Sequence, residues 1–300
     1  MATGAVGGYL AARLASAGHD LLCFARGEHL AALQRHGLVL YSDLGDAAIE
    51  RLSATERGAG HDPVDAVLVT VKVPDNESAV AEIMPLLKSD TAVITFQNGI
   101  ESPDLLEQLV GGGRVIGGAA FISAVIEAPG VIRHGGQLAR FAFGELAGGE
   151  SERVGAVYDA FAGAGLDCQA SDSIMRVLWA KFVFISAASG TNAAFRSSMS
   201  EIVTKPEQRD VLEAAMIEAA AVARAYEVEL PADIVARQMQ VAESFPAGQK
   251  ASMAHDLDVG KPLELPWLSG AVARLGRARN IPTPVSDALT GALKPWVNGA

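Results

Sequence analysis

Met1-Ala2-Thr3-Gly4-Ala5-Val6-Gly7-Gly8 opens the chain and leads directly into an apolar-periodic run from Tyr9 to Ala17. Gly4 and Gly7 match the second and third glycines of the pattern G-x-G-x-x-G, with Ala2 in the place of the first. In that pattern the middle glycine lets backbone N–H groups approach a pyrophosphate. The last glycine permits tight helix–strand packing, and the helix N-terminus supplies positive potential. Ala2, Thr3, Gly4, Ala5, Val6 and Gly7 are therefore candidates to wrap a dinucleotide; a helix start that is glycine-rich for structural reasons is the competing reading. The pattern also calls for a buried strand of about five or six residues ahead of the turn. Here the numbering begins at the turn itself, so the expectation is a start assigned at an internal methionine, with several more apolar residues ahead of it.

Outward from this stretch the first half of the chain alternates. Tyr9 to Ala17 reads as a helix closed by Gly18, and Asp20 to Ala25 as the second strand of a βαβ unit. The residue after that strand commonly selects the cofactor, since a carboxylate accepts from the ribose 2′-OH of NAD whereas a cation suits the 2′-phosphate of NADP. It is Arg26, and the stretch has no carboxylate there, which favours NADP over a merely solvated arginine. Glu28 to His36 reads as a helix, and Leu38 to Ile49 with Leu52 to Ala54 as a strand pair. Asp65 to Val71 is a continuous β-branched run of the kind a parallel sheet buries on both faces. It ends at Lys72, and the next buried run, Thr91 to Phe96, ends at Gln97-Asn98-Gly99. Ligands of open α/β sheets bind beyond the carboxyl ends of the strands, so Lys72 and Asn98 share the rim with the glycine turn. A snorkelling lysine and an ordinary Asn-Gly turn are the plain alternatives. Helices over Asn76 to Leu87, Pro103 to Leu109 and Ser151 to Ala164, and strands over Arg114 to Ser123, Gly130 to Phe143 and Leu166 to Ala170, complete this half.

Composition bounds what such a chain can do. With 300 residues and 50% hydrophobic content it can bury a large core, and its length suggests two domains. A formal net charge of −11 without a basic run argues against nucleic acid or an anionic membrane as partner. No segment looks like the roughly 20 apolar residues of a membrane span, and no signal peptide is visible, so a cytoplasmic protein is expected. Cys23 and Cys168 lie in strand-like stretches and read as free thiols, and the six histidines show no metal-ligand spacing.

Beyond Asp172 the pattern turns helical, over Ile174 to Ala194, Pro206 to Tyr226, Ala232 to Ala242 and Pro266 to Arg279. The expected architecture is an α/β dinucleotide-binding domain over 1–171 followed by an all-α domain over 172–300. Lys181 stands alone as a cation in the apolar run Leu178 to Ser186, so its ammonium is either at a site or partnered. A partly desolvated ammonium is a good electrophile and proton donor for a carbonyl. Glu264, at the end of Gly260-Lys-Pro-Leu-Glu264, either faces that lysine or is simply a carboxylate near a helix start.

Taken in order, Gly-Ala-Val-Gly-Gly, Phe-Ala-Arg, Val-Thr-Val-Lys, Gln-Asn-Gly, Trp-Ala-Lys-Phe and Ser-Met-Ala-His-Asp-Leu, with Glu264, resemble the ketopantoate reductase (2-dehydropantoate 2-reductase) family over nearly the whole chain. The resemblance implies a Rossmann-type amino domain, a helical carboxyl domain, NADPH, and reduction of ketopantoate to pantoate in pantothenate synthesis. It assigns residues 2–7 to the pyrophosphate, Arg26 to the 2′-phosphate, Lys72 to the cofactor, and Asn98 to both cofactor and substrate. It makes Lys181 the proton donor, Ser252 a substrate ligand, and Glu264 the residue that orders the reacting groups and cofactor ribose. The family's substrate-binding asparagines fall here on Ile185 and Ser189, with Asn192 or Arg196 further along the helix as substitutes. A reductase of a different 2-keto acid and a non-catalytic NADP-binding protein are the alternatives, and a homodimer is implied by the family alone.

Overall fold

The computed structural model describes residues 3–299. Met1 and Ala2, and with them the reading of Ala2 as a cofactor ligand, lie outside the described residues. The chain forms two compact units. The first runs to Gln97 and resumes over Ser102–Ile174; the second comprises Asn98–Glu101 and the chain from Met175 onward.

In the first unit α1 (Ala5–Ser16) leads to β1 (Leu22–Phe24), α2 (Gly27–His36), β2 (Leu38–Ser42), β3 (Ala47–Ile49), β4 (Ser53–Thr55) and β5 (Val64–Val69). There follow α3 (Asn76–Ile83), β6 (Leu87–Thr95), α4 (Ser102–Val110), the long hairpin β7 (Val115–Ala128) and β8 (Val131–Glu145), α5 (Glu152–Gly163) and β9 (Asp167–Ala170). A seven-stranded sheet has the order β3-β2-β8-β7-β6-β5, with β9 pairing β8. β5, β6 and β7 run parallel, and β7 and β8 pair antiparallel. Strand residues point alternately to the two faces, and β6 shows the consequence: Val93 and Ile94 are both fully buried, in different cores. Ile94 joins Leu10 and Leu14 of α1 and Phe161 of α5; Val93 joins Val80 and Ile83 of α3 and Leu106 of α4. Phe96, Phe141, Phe143 and Phe161 lock the first of these cores by edge-on and tilted ring contacts.

The strand pair expected over Leu38 to Ala54 divides differently. β2 and β3 form a hairpin, while β4 pairs β1 in a separate parallel two-stranded sheet. Among the described residues no strand pairing joins that sheet to β5. An apolar cavity of about 40 Å³ walled by Leu14, Leu22, Cys23 and Leu68 lies there instead. Burial pushes the Cys23 and Cys168 thiols above the usual thiol range.

The second unit is helical: α6 (Ile174–Phe195), α7 (Met199–Thr204), α8 (Pro206–Ala225), α9 (Ile234–Glu243), α10 (Ser252–Asp258), α11 (Ser269–Ala278) and α12 (Pro284–Leu293). α6 starts within the first unit's span and continues through the second. Its 22 residues are long and apolar enough to cross a membrane by length and composition alone, but most of that stretch is buried inside the protein, as in a core helix. Gly190 explains the close approach of α11 and α12: a Cβ there would stand 2.4 Å from Ser269 Oγ and 3.1 Å from Leu289. Trp179 meets Tyr226 from the end of α8, and Phe184 stacks near Phe245. α7, α10 and α12 are absent from the sequence reading, and Ser252 opens α10.

Candidate active site

The first unit supplies a rim. Thr3 is buried and both its N–H and its hydroxyl donate to Phe24 O, at 2.5 and 3.1 Å, which fastens the glycine turn to the end of β1. Gly4 is the N-cap of α1 and offers no side-chain cap, so the first-turn N–H groups, from Ala5 and Val6 onward, are left for a ligand. No atom lies within 4 Å of the place a Gly4 Cβ would take. Gly7 is buried within the first turn of the helix, and Gly8 makes the close helix–strand contact: a Cβ there would fall 2.6 Å from Ile132 Cγ1 of β8. These features fit a pyrophosphate: uncapped donors, positive helix end and open space beside a glycine.

Arg26 follows β1 and lines a cleft of about 230 Å³ with Phe24, Ala25, Val71, Ser78 and Ala79. Its Nη2 lies 3.5 Å from Ser78 Oγ, whose hydroxyl donates to Asp75 O. The sequence reading sees no carboxylate at this strand end, yet the fold brings Glu56 to the same cleft from one other segment and Asp75 and Glu82 from another. Arg26 is thus the cleft's cation in acidic company. Lys72, half-buried, directly follows Val71 and heads the short turn Val73–Asp75. The rim is braced by Gln97, whose side-chain amide donates to Val71 O at 2.9 Å and to buried Asn76 Oδ1 at 2.6 Å. Gln97 and Asn76 are site-building residues that the sequence reading missed, because an amide pair 21 residues apart has no spacing signature.

The second unit holds a cluster of its own around Lys181. Lys181 lies in the second turn of α6, and its ammonium donates to Asn98 Oδ1 at 3.0 Å. Asn98 is held by Gly99, which adopts φ +90 and passes so near Trp267 that a Cβ would come 2.9 Å from Trp267 O. Glu264 is buried and acts on the Lys181 charge. Burial pushes the Lys181 pKa down to about 8, the Glu264 carboxylate opposing the shift. The loop that delivers Glu264 is braced from the chain's end: Leu263 N–H donates to Val297 O at 3.0 Å.

Asn98, Lys181 and Glu264 thus share one site. Two other candidates do not join it. Asn192 is fully buried with its amide spent on backbone, Nδ2 donating to Ser197 O at 3.1 Å and Oδ1 accepting from Ala251 N–H at 2.9 Å. Its work is to fix the segment from which Ser252, exposed at the start of α10, projects. Ser189 is fully buried too, and its hydroxyl has no partner. Arg196 sits at the end of α6 with its guanidinium 3.7 Å from Asp258.

The chain matches a known protein family along nearly its whole length. The model of the family described as ketopantoate reductase PanE/ApbA matches residues 3–148, and that of its C-terminal domain residues 173–296. The chain belongs to the ketopantoate reductase family. A 2-dehydropantoate 2-reductase of Mesorhizobium japonicum is 32% identical, over 97% of this chain and 94% of that protein. A PanE/ApbA family ketopantoate reductase of Ralstonia eutropha JMP134 has the same fold, with TM-score 0.90 and 30% identity over 99% of this chain and 97% of that one. So does the 2-dehydropantoate 2-reductase of Geobacter metallireducens, with TM-score 0.92 and 27% identity over 98% of each chain. As a ketopantoate reductase family member the chain is an oxidoreductase of the CH–OH class with a Rossmann-type first unit and a helical second one.

Proposed function

We propose that the chain reduces a 2-keto acid to its 2-hydroxy acid with NADPH, and that ketopantoate, named in its relatives, is the first substrate to test. NADPH supplies the hydride when bound. The N–H groups at the start of α1, from Thr3 through Gly7, would hold its pyrophosphate, Arg26 its 2′-phosphate, and Lys72 and Asn98 its ribose end.

The observation that carries the reading is the buried ammonium of Lys181, 3.0 Å from Asn98 Oδ1, with the Glu264 carboxylate acting on it. A carbonyl that accepts hydride at carbon gains negative charge on oxygen. A preplaced cation in a site of low dielectric stabilises that charge without reorganisation, and the same group then gives up its proton. With a pKa near 8 the lysine is charged at neutral pH yet a better acid than an exposed one. Glu264 keeps it protonated despite its burial. Asn98 aims the ammonium, and Ser252, exposed at the start of α10, is assigned to the substrate.

The test is NADPH oxidation at saturating ketopantoate by the wild type and by Lys181→Ala. Removing one electrostatic group of this kind lowers turnover on the order of 10²–10³-fold, while NADPH affinity should stay within a factor of two. Unchanged turnover would refute the role of Lys181. NADPH binding without turnover on any 2-keto acid would favour a non-catalytic NADP-binding protein. Comparing NADH and NADPH as donors, and measuring solution mass for the dimer that the family suggests, complete the test.

A further inference from the structure

The α6 face beside Lys181 decides which 2-keto acid is taken, and this rests on the reading of Lys181 as proton donor to the keto oxygen. Residues three and four positions away on a helix are neighbours on its surface, so Phe184 and Ile185 flank the lysine. Both are half-buried, as Lys181 is, whereas every residue from Ser186 to Ala193 is buried. The accessible stretch beside Lys181 therefore ends at Ile185, and the helix opens again only at its far end, at Ala194 and Phe195.

The polar side chains beyond that point cannot serve a substrate. Ser186 donates to Phe182 O at 2.6 Å and Thr191 to Ala187 O at 2.9 Å, each turned back on its own helix. Both ends of the Asn192 amide are taken by backbone. The Ser189 hydroxyl has no partner, but its residue is 0% exposed, so a ligand in the open site does not reach it. Phe184 continues into an aromatic pair with Phe245, ring centres 5.5 Å apart, which extends the apolar wall. A substrate carboxylate set against Phe184 and Ile185 would be desolvated without compensation. The part of the substrate that faces them is its carbon side chain, with no α6 partner for a hydroxyl there.

We infer that Ile185 makes this enzyme prefer 2-keto acids with a branched hydrocarbon side chain over the hydroxylated ketopantoate. The matched pair is ketopantoate and 3,3-dimethyl-2-oxobutanoate, which differ only by that hydroxyl. An apolar pocket discriminates against an added hydroxyl by about 10–100-fold, whereas a site built to hydrogen-bond it rejects the analogue lacking it by roughly 10⁴–10⁵. The two designs thus predict opposite preferences.

The experiment measures kcat/KM for both acids with NADPH, using the full chain and its Ile185→Asn and Ile185→Val variants. Wild type and Ile185→Val should favour the hydrocarbon acid by at least tenfold, and Ile185→Asn should raise the ketopantoate share by tenfold or more. A smaller wild-type preference, or any preference for ketopantoate, overturns the inference while leaving the reductase reading in place, because one acid still turns over. No turnover on either acid by protein that binds NADPH overturns the reductase reading itself, and the inference with it.

Discussion

Replacing Glu264 with glutamine should move the pH at which this enzyme loses activity. Lys181 has a pKa near 8, set by burial that lowers it and by Glu264 that raises it. On the proposed mechanism reduction needs the protonated lysine. With that pKa the protonated fraction is about 0.9 at pH 7 and about 0.1 at pH 9, so kcat/KM for reduction should fall roughly tenfold between them. Oxidation of the 2-hydroxy acid needs the neutral amine and should rise over the same interval. Glu264→Gln removes the one influence that raises the pKa. An opposite charge near a buried group commonly shifts it by about a unit or more, so the fall should move to near pH 7 or lower. At pH 8 the variant should then lose about fivefold in kcat/KM beyond any pH-independent effect. The sign also shows in stability. A lysine whose folded pKa lies below its unfolded value of 10.5 destabilises the fold while charged; the penalty is fully present below pH 8 and vanishes as pH rises to about 10.5. It is of the order of 3 kcal/mol. The assay is the pH profile of kcat/KM in both directions for wild type and variant, with the cofactor saturating. A profile of Glu264→Gln that falls at the wild-type pH, or at a higher one, would refute the electrostatic role of Glu264.

Other consequences are open to measurement. Gly99→Ala places a Cβ 2.9 Å from Trp267 O at φ +90, so it should lose about 1–3 kcal/mol in denaturant unfolding. It should also lower kcat through Asn98 while leaving NADPH affinity intact. Glu218 is a buried carboxylate that accepts from Val285 N–H, Ser286 N–H and the Ser286 hydroxyl, at 2.7, 2.8 and 2.7 Å, capping α12 from α8. Glu218→Ala strands three donors and should lower stability by about 3 kcal/mol or more, with KM for the keto acid unchanged. Arg26→Ala should raise KM for NADPH about 10–100-fold, the worth of a charged hydrogen bond of about 1.5–3 kcal/mol, and leave KM for NADH nearly unchanged.

Some of this molecule is legible in its sequence because a physical constraint leaves a periodic mark there. Asp65 to Val71 and Thr91 to Phe96 read as buried parallel strands because each position must be apolar when both faces are covered; they are β5 and the greater part of β6. Lys181 is legible for the opposite reason, as the one charge in the apolar run from Leu178 to Ser186. What is not legible depends on distance along the chain. The three carboxylates around Arg26 arrive from two segments with no shared motif, Glu56 from one and Asp75 and Glu82 from the other, and Asn98 reaches Lys181 across 83 residues. α10 escapes because its seven residues carry little periodicity. Ser189 and Asn192 show the limit of position alone. On a helix diagram they continue the face of Lys181, but by that depth the helix is enclosed, and its polar groups answer to the fold.

That enclosure explains how one helix can serve both as core and as catalytic mount. α6 spans about 33 Å at 1.5 Å per residue, with Lys181 near its beginning and Asn192 near its end. The end is immobilised because Asn192 satisfies backbone groups ahead of two different helices, Ser197 O before α7 and Ala251 N–H before α10. The beginning is left partly open, and there the charge is placed. A buried ammonium is costly unless held by partners whose own positions are fixed. Asn98 is fixed by the Gly99 contact with Trp267, and Glu264 lies in the loop that Val297 braces. These holds are independent of one another in sequence, and each ends on backbone. Loosening Asn192 should therefore act at a distance. Asn192→Leu keeps the branching of the side chain, with somewhat more bulk, but frees Ala251 N–H, and it should reduce kcat/KM through the Ser252 segment. The lysine's pKa, read from the pH profile, should not move. If the pKa moved with it, the two ends of α6 would be coupled through the helix, and the division between an anchoring end and a reacting end would be wrong.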